Sequence, residues 1–190
     1  VLVINSAEPM MIGEAEADSV LWVGNPGTTG ARAIGYVLNG YVSPSGRLTD
    51  TWAYDQSSAP SSVNTGTFRF DWSVSGAPNA DDSDHYVVLA EGVYVGYRYY
   101  ETRYEDYVLE AGGPGGYDYG QTVIYPFGHG LSYTEFEYSA VDVTPTADGY
   151  VVPLIVANVG NAAGKEAVQI YMQAPYDAES GVERPSLELV

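Results

Sequence analysis

Apolar and polar positions along this chain fall into three regimes. Residues 1–55 carry short, unbroken apolar runs. "VLVIN" and "SVLWVG" are continuous, as expected of strands buried on both faces in a parallel sheet. Between them "EPMMIGEAEAD" fits a short helix or an irregular connection. After the turn "NPGTTG", "ARAIGYVLNG" places Ala31, Ile34, Gly35 and Leu38 on one helical face, and Asn39-Gly40 offers a C-terminal cap. Strand, connection, strand, helix is α/β grammar, here only part of a domain.

Residues 134–190 alternate instead. "TEFEYSAVDVTP", "YVVPLIVANVG" and "KEAVQIYMQAP", punctuated by "TADG" and "GNAAG", predict about three antiparallel strands. An immunoglobulin-like sandwich needs about seven. The middle, about 50–125, is rich in Ser, Gly, Pro, Asn and Asp, as in "DQSSAPSSVNTG", "SGAPNADDSD" and "EAGGPGGYDYG". Structureless stretches this long are uncommon unless they cover or do something. Within it, "HYVVLAEGVYVGYRYYE" reads as two strand-like pieces around Glu91-Gly92. The expected fold is an α/β fragment, a partial α/β sandwich, followed by a partial antiparallel β-sandwich. The expected division is 1–125, ending in the loop-rich segment, and 126–190. Both ends break off inside apolar runs, so a fragment of a longer chain is expected.

Charge narrows the partners. There are 25 acidic against 7 basic residues, a formal charge of −18. A phosphate backbone would be repelled, which excludes nucleic acid as a partner. No run of about 18 apolar residues predicts a membrane-spanning helix. The absence of cysteine removes disulfides and thiolate metal sites and leaves the compartment open. Eighteen tyrosines suit interfaces and sugar platforms, or simply strands.

The motifs that could carry chemistry are weak. "GNPGTTGAR" follows a strand and opens a helix, where anions bind. Yet its Gly24 and Gly30 are one residue too far apart for a phosphate loop, and no lysine follows. "NADDSDHY", with Asp81, Asp82, Asp84 and His85, lacks the glycine and the final glutamate of a calcium loop. No G-x-S-x-G elbow occurs. His129, flanked by glycines in "YPFGHGLSYTEF", reads as a turn residue rather than a general base. The residues alone thus nominate no catalytic group, metal or cofactor.

Four blocks, in order, resemble the C-terminal half of glycoside hydrolase family 3, the β-glucosidase family: "NPGTTGARAIGYVLNGYVSPSGRL", "EGVYVGYRYYE", "YPFGHGLSYTEFEYS", and "VANVGNAAGKEAVQIYMQAP" with "ERPSLELV". The resemblance implies a parent with an N-terminal barrel, an α/β sandwich and a fibronectin type III-like domain. It implies a retaining glycosidase acting on terminal β-D-glucosyl or related residues, without a cofactor. Retention needs two carboxyl groups about 5 to 5.5 Å apart. The family's Asp nucleophile and Glu acid/base are expected before Val1, and the acid/base context Ser-Gly-Glu-Gly is absent; Glu91 lacks it and is given no role. Phe127, His129 and Tyr133 are expected at the junction of the α/β and β domains. Tyr133 is expected to be buried, and Tyr117 to lie exposed in a glycine-rich loop. Arg98 is expected to pair with an acid, at a cost of about 3 to 5 kcal/mol on breaking. The chain is thus expected to be a non-catalytic piece that self-associates through its cut sheets. An independent carbohydrate-binding module, suggested by "GGYDYG", and a purely structural stabiliser remain as alternatives.

Overall fold

The computed structural model describes residues 1–10, 12, 17–64, 68–69, 85–86, 88–108, 116–173, 175, 179 and 181–190. Among them the chain forms small two-stranded sheets, all antiparallel except one, with a few helices. Its contacts group into two interleaved units. The first comprises Val1–Glu8, Glu16–Leu48 and Gly128–Val168, and the second Pro9–Ala15, Thr49–Phe127 and Gln169–Val190.

In the first unit, β1 (Leu2–Ile4) and β2 (Val20–Trp22) pair in parallel, Leu2 against Val20 and Ile4 against Trp22. The Trp22 indole N–H donates to the Ser6 carbonyl at 2.6 Å. Helix α1 (Gly27–Leu38) follows. It stops where Gly40 takes φ +76°, a left-handed conformation that glycine alone adopts without strain. Tyr41 and Val42 N–H then both donate to the Tyr36 carbonyl. The covered face of α1 is Gly30, Ile34 and Val37, not the expected one: Leu38 is 48% exposed. The two stripes lie side by side on the helix, and apolar spacing alone does not say which finds partners.

The antiparallel region of this unit centres on β7 (Phe136–Ala140) paired with β10 (Leu154–Asn158), Phe136 opposite Asn158 and Ala140 opposite Leu154. A hairpin of β8 (Thr144–Thr146) and β9 (Gly149–Val151) lies between them in sequence. The run "YVVPLIVANVG" is therefore two strands, not one. Pro153, which has no N–H for a ladder, sits at the break, and its carbonyl accepts from Val141 N–H.

In the second unit, β3 (Trp52–Ala53) pairs antiparallel with β6 (Val123–Tyr125). Around them lie 3₁₀ turns at Gln56–Ser58 and Pro60–Asn64 and the pair β4 (Phe68–Arg69) and β5 (His85–Tyr86). Helix α2 (Tyr97–Val108), the short α3 (Tyr119–Thr122) and the pair β11 (Tyr171–Met172) and β12 (Glu188–Leu189) complete it. The core gathers Ala53, Tyr100 and Val123, with Ala59, Tyr99, Tyr117 and Tyr119 packed on it.

Two expectations are corrected here. The second strand-like piece after Glu91-Gly92 becomes helix α2, entered through Gly96 at φ +57°. Tyr97, Tyr100, Tyr104 and Tyr107 recur at spacings of three and four, a helical period that the strand preference of tyrosine obscured. The loop-rich segment likewise holds two helices and paired strands. The expectations for "EPMMIGEAEAD" at residues 11 and 13–16, and for Asp81, Asp82 and Asp84, lie outside the described residues. Among the described residues no helix is long and apolar enough to cross a membrane.

Candidate functional site

Helix α2 organises the second unit. Its Tyr100 is 3% exposed, shares a hydrogen bond with the Ser58 hydroxyl at 3.0 Å, and meets the Tyr99 ring edge-on at 5.1 Å. One residue on, Glu101 Oε1 accepts from the Tyr119 hydroxyl at 2.6 Å. Tyr119 is held at the start of α3, whose N-cap, Asp118, accepts from Gln121 N–H at 3.2 Å. The Tyr104 and Tyr119 rings stand 5.3 Å apart, and Tyr117 and Tyr119 6.5 Å apart, both edge-on. Arg103 lies over the Tyr117 ring at 5.7 Å.

Burial pushes the Tyr119 hydroxyl well above its usual range, and the hydrogen bond to Glu101 pushes it further. Burial, then the neighbouring tyrosines and Glu101, does the same to Tyr117. These phenols therefore stay protonated, and Tyr119 donates its hydrogen bond to Glu101. Glu101, Tyr104, Tyr117, Asp118, Tyr119 and Gly120 line an open cleft of about 660 Å³.

A second cleft, of about 930 Å³, is lined by residues that include Glu91, Tyr94, Tyr99, Arg103, Asp106 and Arg184. The chain near the C-terminus is fastened beside it: Ser186 N–H donates to Thr102 Oγ1 at 2.9 Å, Gln173 donates to Glu105 at 2.5 Å, and the Tyr94 hydroxyl donates to Glu183. Among the described residues no group of three metal-ligating side chains comes together.

The residues singled out from sequence are scattered rather than convergent. In the second unit, the Phe127 ring lies 4.7 Å from that of Tyr97. Arg98 Nη2 donates to Glu188 Oε1 at 2.8 Å, with side chains 35% and 43% exposed. An ion pair this wet contributes about 0 to 1 kcal/mol, well under the 3 to 5 expected of a buried one. In the first unit, the His129 carbonyl accepts from Leu48 N–H at 2.9 Å. Burial, and then the Arg47 guanidinium, lower the imidazole pKa from its ordinary 6.5, so the ring is neutral at pH 7. Tyr133 reverses the expectation: it is 52% exposed, whereas Tyr117 packs on the core. The Tyr133 hydroxyl donates to the Val37 carbonyl at 2.9 Å, and its N–H donates to Ser43 Oγ at 2.9 Å.

Sequence reasoning missed the ion pair between Arg47 and Glu166 at 2.5 Å, with side chains 13% and 14% exposed. It closes a sequence separation of 119, and neither "SGRL" nor "GKEAV" carries a local sign of the other. It also missed the buried Thr134, whose hydroxyl donates to Asn158 Oδ1 at 2.7 Å. The cue was Gly160 and Gly164 in "GNAAG": a Cβ at either would collide with Thr134.

This frame has known counterparts. Residues 1–133 match the family model for the glycosyl hydrolase family 3 C-terminal domain, and the chain belongs to that family. A β-glucosidase of Ruminococcus albus is 40% identical over 164 residues, which cover 86% of this chain and 14% of that protein. Thermostable β-glucosidase B of Acetivibrio thermocellus is 39% identical over 161 residues, covering 83% of this chain and 17% of that one. Among solved structures, β-glucosidase 3B from Thermotoga neapolitana superposes with a TM-score of 0.69 at 32% identity, over 98% of this chain and 22% of its own. The β-glucosidase from Kluyveromyces marxianus, solved in complex with glucose, gives 0.74 at 30% identity, over 100% of this chain and 19% of its own. This chain thus spans 14% to 22% of the length of these four proteins.

Proposed function

We propose that this chain is the non-catalytic C-terminal part of a retaining β-glycosidase that removes terminal β-D-glucosyl or related residues. The family match over residues 1–133 carries the reading. The sequence supports it: Ser-Gly-Glu-Gly occurs nowhere in it, so the parent's nucleophile and acid/base are assigned to a barrel and α/β portion outside it. In this reading residues 1–125 finish the α/β sandwich, and 126–190 begin a fibronectin type III-like domain. The β7–β10 pair, with Tyr138 and Ile155 exposed, is then a portion of that sandwich. Phe127, His129 and Tyr133 are its junction residues.

A chimera tests the reading. This chain replaces the matched segment of the Thermotoga neapolitana enzyme, and hydrolysis of p-nitrophenyl β-glucoside is followed at pH 5 to 7. Activity in the chimera and none in this chain alone is expected. A folded, inactive chimera, or turnover by this chain alone that vanishes on Glu91→Gln, would overturn it. The same reading predicts self-association, because an uncovered sheet face and open strand edges recruit other copies. Sedimentation velocity in 0.15 M salt should show a dimer or larger species; a clean monomer at tens of micromolar counts against it.

A further inference from the structure

We infer that the cleft walled by Glu101, Tyr104, Tyr117, Asp118 and Tyr119 binds a neutral mono- or disaccharide. The inference concerns side chains of this chain alone and stands apart from the parental reading. Room comes first. At about 660 Å³ the cleft falls within the roughly 300–1,000 Å³ of small-molecule sites.

The walls have the chemistry a sugar ring needs. A pyranose offers C–H groups on its faces and hydroxyls around its rim. Tyr104, 45% exposed, presents ring surface at the cleft. Its contact with Tyr119, and that of Tyr119 with Tyr117, set the rings before any ligand arrives. With two side-chain torsions each, tyrosines supply contact area at low entropic cost.

Acceptors sit beside the rings. A carboxylate has about four acceptor sites. Tyr119 engages one at Glu101, and Asp118 Oδ1 accepts from Gln121 N–H. The remaining capacity suits adjacent hydroxyls, which donate in pairs to carboxylate oxygens.

Charge selects among ligands. Two carboxylates in one cleft repel phosphorylated sugars and uronates. No set of three metal-ligating side chains assembles among the described residues, which disfavours a cation. A polyhydroxylated, uncharged molecule meets both conditions.

Titration calorimetry with glucose, cellobiose and xylobiose tests the inference, with glucuronate and calcium chloride as the charged probes. One neutral sugar should bind with a Kd of about 1 mM or tighter. Tyr104→Ala should weaken it by about tenfold or more, equal to about 1.4 kcal/mol, with the thermal midpoint showing that the variant is folded. Asp118→Asn gives an independent reading, because asparagine caps a helix as well as aspartate, and should weaken binding several-fold. Failure of every neutral sugar to bind at about 20 mM would overturn the inference. So would sugar binding that survives both substitutions, or a preference for glucuronate or calcium. None of these outcomes depends on the chimera's activity.

Discussion

Trp52 and Tyr100 in the second unit are each 3% exposed, whereas Ile155 and Tyr138 on the β7–β10 sheet of the first are 61% and 47% exposed. Both regions are rich in β-branched and aromatic residues. The difference lies in what covers them. In the second unit Tyr99 and Tyr100 of α2, with Tyr117 and Tyr119, pack on Ala53 and Val123 of the β3–β6 pair and exclude water from a small core. In the first unit polar contacts tie together the segments that flank the β7–β10 sheet: Arg47 to Glu166, Thr134 to Asn158 at the end of β10, and Ser43 to Ser132 at 2.8 Å. One unit is stabilised mainly by area removed from water, the other by a few directional contacts whose loss leaves a partner stranded.

Aromatic truncation should separate the two most sharply. Tyr100→Ala should cost about 3 to 5 kcal/mol, as for other buried aromatics. Tyr133→Ala, losing a half-exposed ring and one hydrogen bond to Val37, should cost about 1 kcal/mol. Urea melts measure both. Equal shifts in midpoint at unchanged slope would erase the contrast. Charge deletion comes next. Arg47→Ala strands the Glu166 carboxylate where it is 14% exposed, for a loss on the order of 3 kcal/mol. Arg98→Ala, in the wet pair with Glu188, should cost about 0 to 1 kcal/mol. A salt titration sharpens the pair: the Arg98 contact should fade at high ionic strength, and the Arg47 contact should persist. If both respond alike, the first unit is less dry around Arg47 than its geometry indicates.

How much of this was legible in the sequence depended on whether the decisive contact was local. The unbroken runs "VLVIN" and "SVLWVG" announced β1 and β2 as strands, but not their cover: the expected burial on both faces is not met, since only Ile4 among them is buried and Val3 is exposed. The alternating "FEYSA" announced β7. Helix α2 was obscured because tyrosine favours strands and the glycine turn before it looked like a hairpin. Its three-and-four spacing was present all the same, at Tyr97, Tyr100 and Tyr104. The tyrosine cleft was half visible: "YDYG" carried the residue types, but Glu101 and Tyr104 arrive from a different helix. Arg47 and Glu166 were illegible, since nothing within a few residues of either requires the other. For α1, the pattern identified an amphipathic helix but chose the wrong stripe.

The interleaving of the two units has a consequence for how the chain is made. Ser43 and Ser132, which share a hydrogen bond within the first unit, are separated by 89 positions, and most of the second unit is encoded between them. At about 5 to 20 residues per second, a ribosome delivers Ser132 some 4 to 18 s after Ser43. Over that interval β1, β2 and α1 are already made, without the strands that complete their unit, while Ala53, Tyr100 and Val123 of the second core are added in turn. The residues of the second core are all made before β7 and β10, and the first unit waits for those strands with apolar residues uncovered. Synthesis time, as much as equilibrium stability, then decides how long this acidic chain is exposed to aggregation and to proteases.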